Sequence, residues 1–292
     1  MHGKRVRFWR PDRELGRNRQ LAQYETLNVT RADGLMWISF NRPHVVNAFN
    51  LAQWRELQAA LDEAAGDDEI RVVAIRGEGG NFSAGYDLTA ALGGDLAEPL
   101  PNAFRDYVDI GNAACWAVWN LKKPVISMIQ GYCLGGAFEL AMACDFAYSD
   151  TSAELGEPEI LLSDAPPFLI SPWVMGMRQA KHILLTGELI SAETALQYGI
   201  LNKVSAPDAL EADVTRLAKR LMGFAPETWH QNKSAINRSY EIMGFQSCVE
   251  MGKEAFVTAN VTPNALKTEF LERFNRDGFS AAIKWVQTRY AV

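Results

Sequence analysis

The order of hydrophobic and polar positions predicts alternating strands and helices over the first two thirds of the chain. Short apolar runs that end in turn residues predict strands, and apolar residues that recur every three or four positions predict amphipathic helices. The predicted strands span residues 24–29, 35–40, 72–76, 124–129 and 146–148. The predicted helices span residues 50–65, 102–121, 136–144, 191–198 and 209–221. Repeated βα units of this kind predict an α/β fold.

The pattern changes towards the C-terminus, where helical periodicity continues and no comparable β run is predicted after about Ser171. We therefore expect a basic N-terminal extension at residues 1–20, a β-rich core with the site at residues 21–205, and a helical region at residues 206–292. Apolar positions in the helical region, such as Phe256 and Phe270, need a partner surface. They predict an oligomer.

Composition narrows the class of protein. Of the 292 residues, 48% are hydrophobic and 22% are charged, and no run of about 18 apolar residues occurs, so we expect a globular protein that does not enter membranes. The net charge of -6 argues against nucleic-acid binding, because phosphate neutralisation needs a basic face. Four scattered cysteines without paired metal-ligand spacing predict reduced thiols, a cytoplasmic protein and no metal site.

Two glycine-rich turns, each directly after a predicted strand, carry the first chemical signal. One extends from Phe82 to Leu88, and the other extends from Gly131 to the start of a helix at Gly136. Backbone N–H groups in such turns, and at a helix N-terminus, are free to bind a developing negative charge. Two donors from separate turns can polarise one carbonyl group.

Two glutamates stand out from their surroundings. Glu139 lies in a helix that is otherwise almost entirely apolar, so it either pairs with a cation or has a chemical task. Glu159 begins a second apolar run, whereas the nearby Glu154 and Glu157 are expected to face solvent. Two carboxyl groups that converge on one cleft can divide acid and base roles when their environments separate their pKa values.

In combination and in this order, the segments resemble the crotonase (enoyl-CoA hydratase/isomerase) superfamily. The resemblance runs from about Tyr24 to Val204 and continues more weakly to the C-terminus. It rests on Asn41, Arg42 and Pro43 with Asn47 and Ala48, on Phe82 to Leu88, on Lys123 and Pro124 with Gly131 to Asp145, on Gly156 to Ile160, and on Leu185, Thr186 and Gly187 with Ala192, Ala195, Gly199, Leu201, Asn202 and Val204. It implies an α/β, crotonase-like ββα spiral core with a helical C-terminal trimerisation region. A homotrimer or a dimer of trimers is expected.

The resemblance also implies an acyl-CoA substrate, with no cofactor besides the coenzyme A of that substrate. The N–H groups of Tyr86 and Gly136 would hold the thioester oxygen. Glu139 and Glu159 would form the acid–base pair that adds water across the 2,3 double bond. The residues implied to bind substrate or CoA are Arg42, Val46, Ala48, Ala84, Asp87, Leu88 and Lys267. By charge alone, Lys122 and Lys123 are further candidates.

The loop after Ile160 and the oxyanion turn differ from a typical hydratase of this type. Where such a hydratase has a glycine-rich loop, this chain has Asp164, Pro167 and Phe168, and Pro167 has no N–H with which to hold water. Tyr86 replaces a small residue, and with Phe168 and Trp173 it would line an aromatic acyl pocket.

These differences leave other reactions open. One alternative is an enoyl-CoA isomerase, and another is a C–C bond hydrolase or lyase acting on a cyclic or aromatic acyl-CoA. Asp164 is a candidate for a third acid in the site, with a solvated loop aspartate as the favoured alternative. The acidic net charge and the two retained glutamates argue against a catalytically silent or RNA-binding relative.

Overall fold

The computed structural model describes residues 23–95 and 100–290, so the predicted extension at residues 1–20 lies outside the described residues. Within those ranges the strands are β1 (Leu27–Ala32), β2 (Leu35–Phe40), β3 (Val72–Gly77), β4 (Val125–Ile129), β5 (Tyr132–Leu134), β6 (Phe146–Asp150), β7 (Glu154–Gly156), β8 (Ile190–Ser191) and β9 (Lys203–Ser205). The α-helices are α1 (Leu51–Gly66), α2 (Leu88–Ala90), α3 (Pro101–Asn120), α4 (Gly136–Ala143), α5 (Ser171–Val174), α6 (Met177–Thr186), α7 (Ala192–Gln197), α8 (Leu210–Met222), α9 (Pro226–Ile242), α10 (Phe245–Val261), α11 (Ala265–Asp277) and α12 (Phe279–Tyr290). Two 3-10 helices, Pro43–Val45 and Pro158–Leu162, and a π-helical turn, Ala91–Asp95, complete the described elements.

Six strands form the main sheet, in the order β1-β2-β3-β4-β6-β9. β1 is antiparallel to β2, and the other neighbours are parallel. Asp33 and Gly34 join β1 to β2 with positive φ angles of 51° and 84°, as a tight hairpin turn requires. Because pairing continues up to this turn, the strand predicted at 24–29 lies instead at Leu27–Ala32.

The prediction of no β run after about Ser171 was wrong. β8 and β9 contain two and three residues, which is too short for a period of two to be visible in the sequence. β9 pairs with β6 and extends the main sheet, so the chain after Ser171 still contributes to it.

A second sheet, in the order β5-β7-β8, brings the segments of the site together. β5 carries the second glycine turn at its C-terminal end, and its parallel partner β7 ends at Gly156, directly before Glu157 and Glu159. The first glycine turn joins β5 through an isolated bridge between Ser83 and Cys133. Segments far apart in sequence therefore converge at the ends of short parallel strands.

Helices cover both faces of the main sheet. On one face, α1 buries Trp54, Leu57 and Leu61 in the principal core, and the Asn50 side chain caps this helix by accepting from the N–H of Gln53 at 2.9 Å. On the other face, α8 packs its apolar side chains against β2, β3 and β4. The predicted start of α1 is thus confirmed.

The C-terminal helices reach back to the segment that follows Glu159. Phe270 of α11, with Ala282 and Val286 of α12, packs against Leu161 and Leu162 of the second 3-10 helix. No helix among the described residues is both long and apolar enough to cross a membrane.

Lys233 anchors α9 to the sheet. Its Nζ lies 2.8 Å from Asp145 Oδ2 and donates to the carbonyl oxygens of Val118 and Lys123, and both charged side chains are mostly buried. Asp145 also accepts from the N–H of Val125 at 2.8 Å. The ion pair therefore joins α9 to the end of α3 and the start of β4.

We expect Lys233→Met to lower the free energy of unfolding by about 3 kcal/mol, because it leaves the largely buried Asp145 carboxylate without its cation. Urea unfolding measures this change. Arg238→Met is the matched control, since Arg238 pairs with Glu241 on the exposed side of the same helix and such pairs contribute little. Equal effects of the two substitutions would contradict the anchoring role of Lys233.

Candidate active site

The two glycine turns lie against each other. Gly85 and Gly135 both have positive φ, at 84° and 55°. A Cβ atom on Gly85 would lie 2.6 Å from the carbonyl oxygen of Leu134 and 3.4 Å from the nitrogen of Gly136, so a side chain at Gly85 would separate the turns. Among the described residues, the N–H groups of Tyr86 and Gly136 have no hydrogen-bond acceptor. The two N–H groups that the resemblance implied as thioester ligands thus belong to adjacent turns.

Glu139 lies in the first turn of α4 and is 2% exposed. Its Oε1 accepts a hydrogen bond from the N–H of Phe168 at 2.7 Å. Burial raises the pKa of Glu139 to about 8, with a further contribution from the nearby Glu159, whereas the Phe168 N–H opposes the rise by stabilising the carboxylate. This carboxyl group can change its protonation state close to neutral pH.

Glu159 is the second residue of the 3-10 helix Pro158–Leu162 and packs against the second glycine turn. A Cβ atom on Gly135 would lie only 2.3 Å from Glu159 Oε1, so the absence of a side chain there admits the carboxyl group. The Oε2 atom is buried without a hydrogen-bond partner among the described residues. Burial, and then the neighbouring Glu157, raise the pKa of Glu159 well above its ordinary value.

Glu157 corrects the expectation that it faces solvent. It is 1% exposed, whereas Glu154 is exposed as expected. The Ser171 hydroxyl donates to Glu157 Oε1 at 2.6 Å. Local sequence could not reveal this burial, because the side chain is covered by α5, which is distant along the chain.

The ring of Tyr86 fills space that two glycines leave open. A Cβ atom on Gly136 would lie 2.6 Å from this ring, and one on Gly111, in the middle of α3, would lie 2.1 Å from the phenol oxygen. Trp54 and Tyr107 flank the ring, with centroids 5.4 and 5.6 Å away. Burial, and then the charge of Glu139, raise the pKa of Tyr86 well above its ordinary value, so the hydroxyl stays protonated.

Phe168 contributes its main-chain N–H to the site, and its ring packs in the principal core. Its side chain is fully buried against Trp116 and Phe245, and Trp173 also packs on Phe245. These rings pack on one another, and the expectation that Phe168 and Trp173 line an acyl pocket together with Tyr86 stays a prediction.

The proline loop is held in place by a residue that the sequence analysis missed. Asn112 of α3 is buried, and its Nδ2 donates to the carbonyl oxygen of Pro167 at 3.1 Å. Pro167 precedes Phe168, whose N–H contacts Glu139. The available signal for Asn112 was an amide on the otherwise largely apolar face that α3 buries.

Six of the seven residues implied to bind substrate or CoA lie on connected segments around the first glycine turn. Arg42 pairs with Asp87 at 3.0 Å and also donates to the carbonyl oxygen of Ala48. The N–H of Ala84 donates to the carbonyl oxygen of Val46 at 3.0 Å, and Leu88 begins α2 directly after Asp87. The charge of Arg42 is therefore already paired within the chain.

The other cations have different surroundings. Lys267 Nζ donates to Asn260 Oδ1 at 2.6 Å and lies 3.5 Å from Asp164, which ties α11 to the segment after Glu159. Lys123 donates to the carbonyl oxygens of Ala64 and Asp67 and so closes the C-terminus of α1. Lys122 is exposed.

Three glutamates, of which Glu139 and Glu157 are buried and Glu159 is half-buried, thus share one region without an ion-pair partner among the described residues. Among the described residues no Lys, Arg or His forms an ion pair with Glu139, Glu157 or Glu159. The same ranges contain no group of three or more His, Cys, Asp or Glu side chains arranged to hold a metal ion. Carboxyl groups with raised pKa values beside two unpaired N–H groups can transfer protons next to a polarised carbonyl.

Comparisons with known proteins identify the family that this chain resembles. The model of the enoyl-CoA hydratase/isomerase family matches residues 30–275. A probable enoyl-CoA hydratase of Rhizobium meliloti is 32% identical over 223 residues, which cover 75% of this chain and 84% of that protein. A short-chain-enoyl-CoA hydratase of Clostridium acetobutylicum is 30% identical over 249 residues, covering 83% of this chain and 93% of that protein.

A solved structure shows the same fold. The crystal structure of an enoyl-CoA hydratase/isomerase from Xanthobacter autotrophicus Py2 aligns with a TM-score of 0.89 and 32% identity, covering 92% of this chain and all of that one. The predicted crotonase-like fold is thereby confirmed. The range matched by the family model contains both glycine turns and Glu139, Glu157 and Glu159, and the chain belongs to the enoyl-CoA hydratase/isomerase family of enzymes.

Proposed function

We propose that this chain is an enoyl-CoA hydratase, which adds water across the 2,3 double bond of an acyl-CoA thioester. The observation that carries the proposal is the pair of carboxyl groups of Glu139, which is buried, and Glu159, which has one buried oxygen, next to two unpaired N–H groups in adjacent turns. Relatives that carry the name enoyl-CoA hydratase support the same reaction. Coenzyme A enters as part of the substrate, and the proposal requires no other cofactor.

The environments of the two glutamates suggest how they divide the proton transfers. Glu139 ionises more readily, because the Phe168 N–H stabilises its carboxylate, whereas Glu159 has a buried oxygen without a partner. In the proposed reaction, Glu139 therefore takes a proton from water as the water oxygen bonds to C3. The electrons of the double bond move towards the thioester oxygen, where the N–H groups of Tyr86 and Gly136 stabilise the charge. Glu159 then gives its proton to C2, and transfer of a proton from Glu139 to Glu159 restores the starting state.

The alternatives differ in how far the site supports them. An isomerase needs a carboxyl group that moves a proton between two carbons, and Glu139 or Glu159 meets that need. A C–C hydrolase or lyase for cyclic or aromatic acyl groups would use the aromatic acyl pocket predicted from the sequence. Asp164 is engaged by Lys267 and Asn260, which leaves it poorly suited to act as a third acid.

Glu139→Gln and Glu159→Gln should each lower kcat for crotonyl-CoA hydration by roughly 10²- to 10⁴-fold, because glutamine keeps the shape but cannot transfer the proton. The loss of enoyl absorbance gives the rate, and mass spectrometry of the product distinguishes the gain of one water from an isomer of equal mass. Glu154→Gln is the control, since Glu154 is exposed near the site and should leave kcat unchanged.

The double variant should lose much less activity than the product of the two single losses, because both groups act on one water. Near-normal hydration by Glu139→Gln would remove that residue from the mechanism. An isomer as the wild-type product would favour the isomerase.

The raised pKa of Glu139 should also make stability depend on pH. The folded chain keeps a proton on Glu139 up to about pH 8, whereas the unfolded chain releases it near 4.5, so the free energy of unfolding should fall as pH rises between these values. The Glu139 contribution is therefore fully present below pH 4.5 and is lost as pH rises through 8. Glu139→Gln should remove up to about 1.4 kcal/mol of this decline per pH unit, as measured by denaturant unfolding at several pH values. Parallel pH curves for the variant and the wild type would show that Glu139 titrates normally.

We propose in addition that the chain assembles as a trimer or a dimer of trimers. Phe256 and Phe270, which suggested a partner surface, are largely covered within the chain, but α9 and α10 leave other apolar side chains exposed. Those side chains are Ile236 and Ile242 of α9 and Met251 of α10, and Met243 between the two helices is exposed as well. Light scattering at micromolar concentration should therefore give three or six times the mass of one chain, and a mass near 32.5 kDa would contradict the proposal.

A further inference from the structure

Glu157 is a buried acid that the proposed reaction does not use. It follows Gly156 at the end of β7 and is two positions before Glu159, so it shares the backbone turn that directs Glu159 into the site. Its side chain is 1% exposed, with one oxygen accepting from the Ser171 hydroxyl at 2.6 Å. The other oxygen, Oε2, is buried and has no hydrogen-bond partner among the described residues.

The charges around Glu157 come from the elements packed nearby. Glu139 on α4 and Glu159 on the 3-10 helix are both acids, and α5 contributes only the neutral Ser171 hydroxyl. The next acid along the chain is Asp164, whose charge Lys267 of α11 balances. No described cation pairs with Glu157 itself.

These surroundings decide which form of Glu157 the fold tolerates. A buried carboxylate needs a cation or several N–H donors to replace the water it has lost, and a single hydroxyl is too little. A neutral carboxyl group needs far less, and it can still accept the Ser171 hydrogen bond through its carbonyl oxygen. Burial and the nearby Glu139 act in the same direction, because both raise the pKa of Glu157 well above its ordinary value.

We propose that Glu157 is a positioning residue of the acid–base site, a third carboxyl group that stays protonated at neutral pH. Its hydrogen bond with Ser171 ties the turn that carries Glu159 to α5. Because it is neutral, it adds no negative charge beside Glu139 and Glu159, so one of that pair can ionise. A charged residue at the same place would oppose that ionisation by like-charge repulsion.

Infrared spectroscopy of the full-length protein tests the protonation directly and does not depend on any activity. A protonated carboxyl group absorbs at a higher frequency than a carboxylate. The difference spectrum of wild type minus Glu157→Gln at pH 7 should therefore contain a protonated-carboxyl band, and that of wild type minus Glu154→Gln should contain none, because Glu154 is exposed. A wild-type minus Glu157→Gln spectrum that shows only a lost carboxylate band would overturn the proposal.

Ser171→Ala provides a second variant that keeps Glu157 itself. Loss of the Ser171 hydrogen bond should move the protonated-carboxyl band to higher frequency without removing it, because the carbonyl oxygen becomes free. An unmoved band would show that the absorbing group is not the one bound to Ser171, and it would overturn the assignment to Glu157.

A third test measures the activity of Glu157 variants, and it rests on the proposed hydratase function. Glu157→Gln, which is neutral and can accept from Ser171, should keep kcat within about threefold of wild type and leave the acid limb of the kcat/KM pH profile in place. Glu157→Leu, which is neutral but cannot accept, should lower kcat by about tenfold or more while KM changes little, because Glu159 loses its support. An acid limb displaced by about one pH unit to lower pH in Glu157→Gln would mean that Glu157 is charged in the wild type, which is the opposite of the proposal.

Discussion

The cost of placing a charged carboxyl group in an apolar interior governs this site. Glu139 is set into a helix whose other side chains are apolar and buried, and its only hydrogen bond from the described chain that opposes the loss of water is the Phe168 N–H. Glu157 and Glu159 add two more carboxyl groups and no cation. An exposed glutamate is ordinarily ionised at neutral pH, whereas burial raises the pKa of these three carboxyl groups, so the site can hold a proton on one of them while Glu139, which ionises more readily than Glu159, acts as the base.

The glycines make this crowding sterically possible. Gly135 lets the Glu159 carboxyl group lie against the second turn, and Gly85 lets the two turns meet. Gly111 lies in the middle of the continuous helix α3, where glycine is about 1 kcal/mol less favourable than alanine. Its missing side chain leaves room for the phenol of Tyr86. The glycines thus let the two turns, α3 and the segment that carries Glu159 approach one another closely. The unpaired N–H groups and the carboxyl groups lie in one small region for this reason.

The sequence could predict features that depend on local context. An isolated acid in an apolar helix identified Glu139, and glycines after a strand identified the two turns. Glu157 could not be recognised, because α5 covers it and lies farther along the chain. The pairing of Arg42 with Asp87 and of Lys267 with Asp164 was also missed, since neither partner is close in sequence.

The loop around Pro167 contains one feature that the sequence predicted and two contacts that it did not. Pro167 does lack an N–H, as the sequence indicated, but the next residue, Phe168, supplies one to Glu139. Asn112 holds that loop from α3, a contact that depends on tertiary packing.

Carbon-13 NMR of the glutamate carboxyl groups measures the decisive quantity directly, the pKa of Glu139 in the folded chain. Labelled glutamate gives the titration curves, and the resonance that disappears in Glu139→Gln identifies the residue. That resonance should titrate near pH 8. If it titrates near the ordinary value of 4.5, burial does not raise the pKa of Glu139, and the account of how the apolar interior sets the protonation of this site fails.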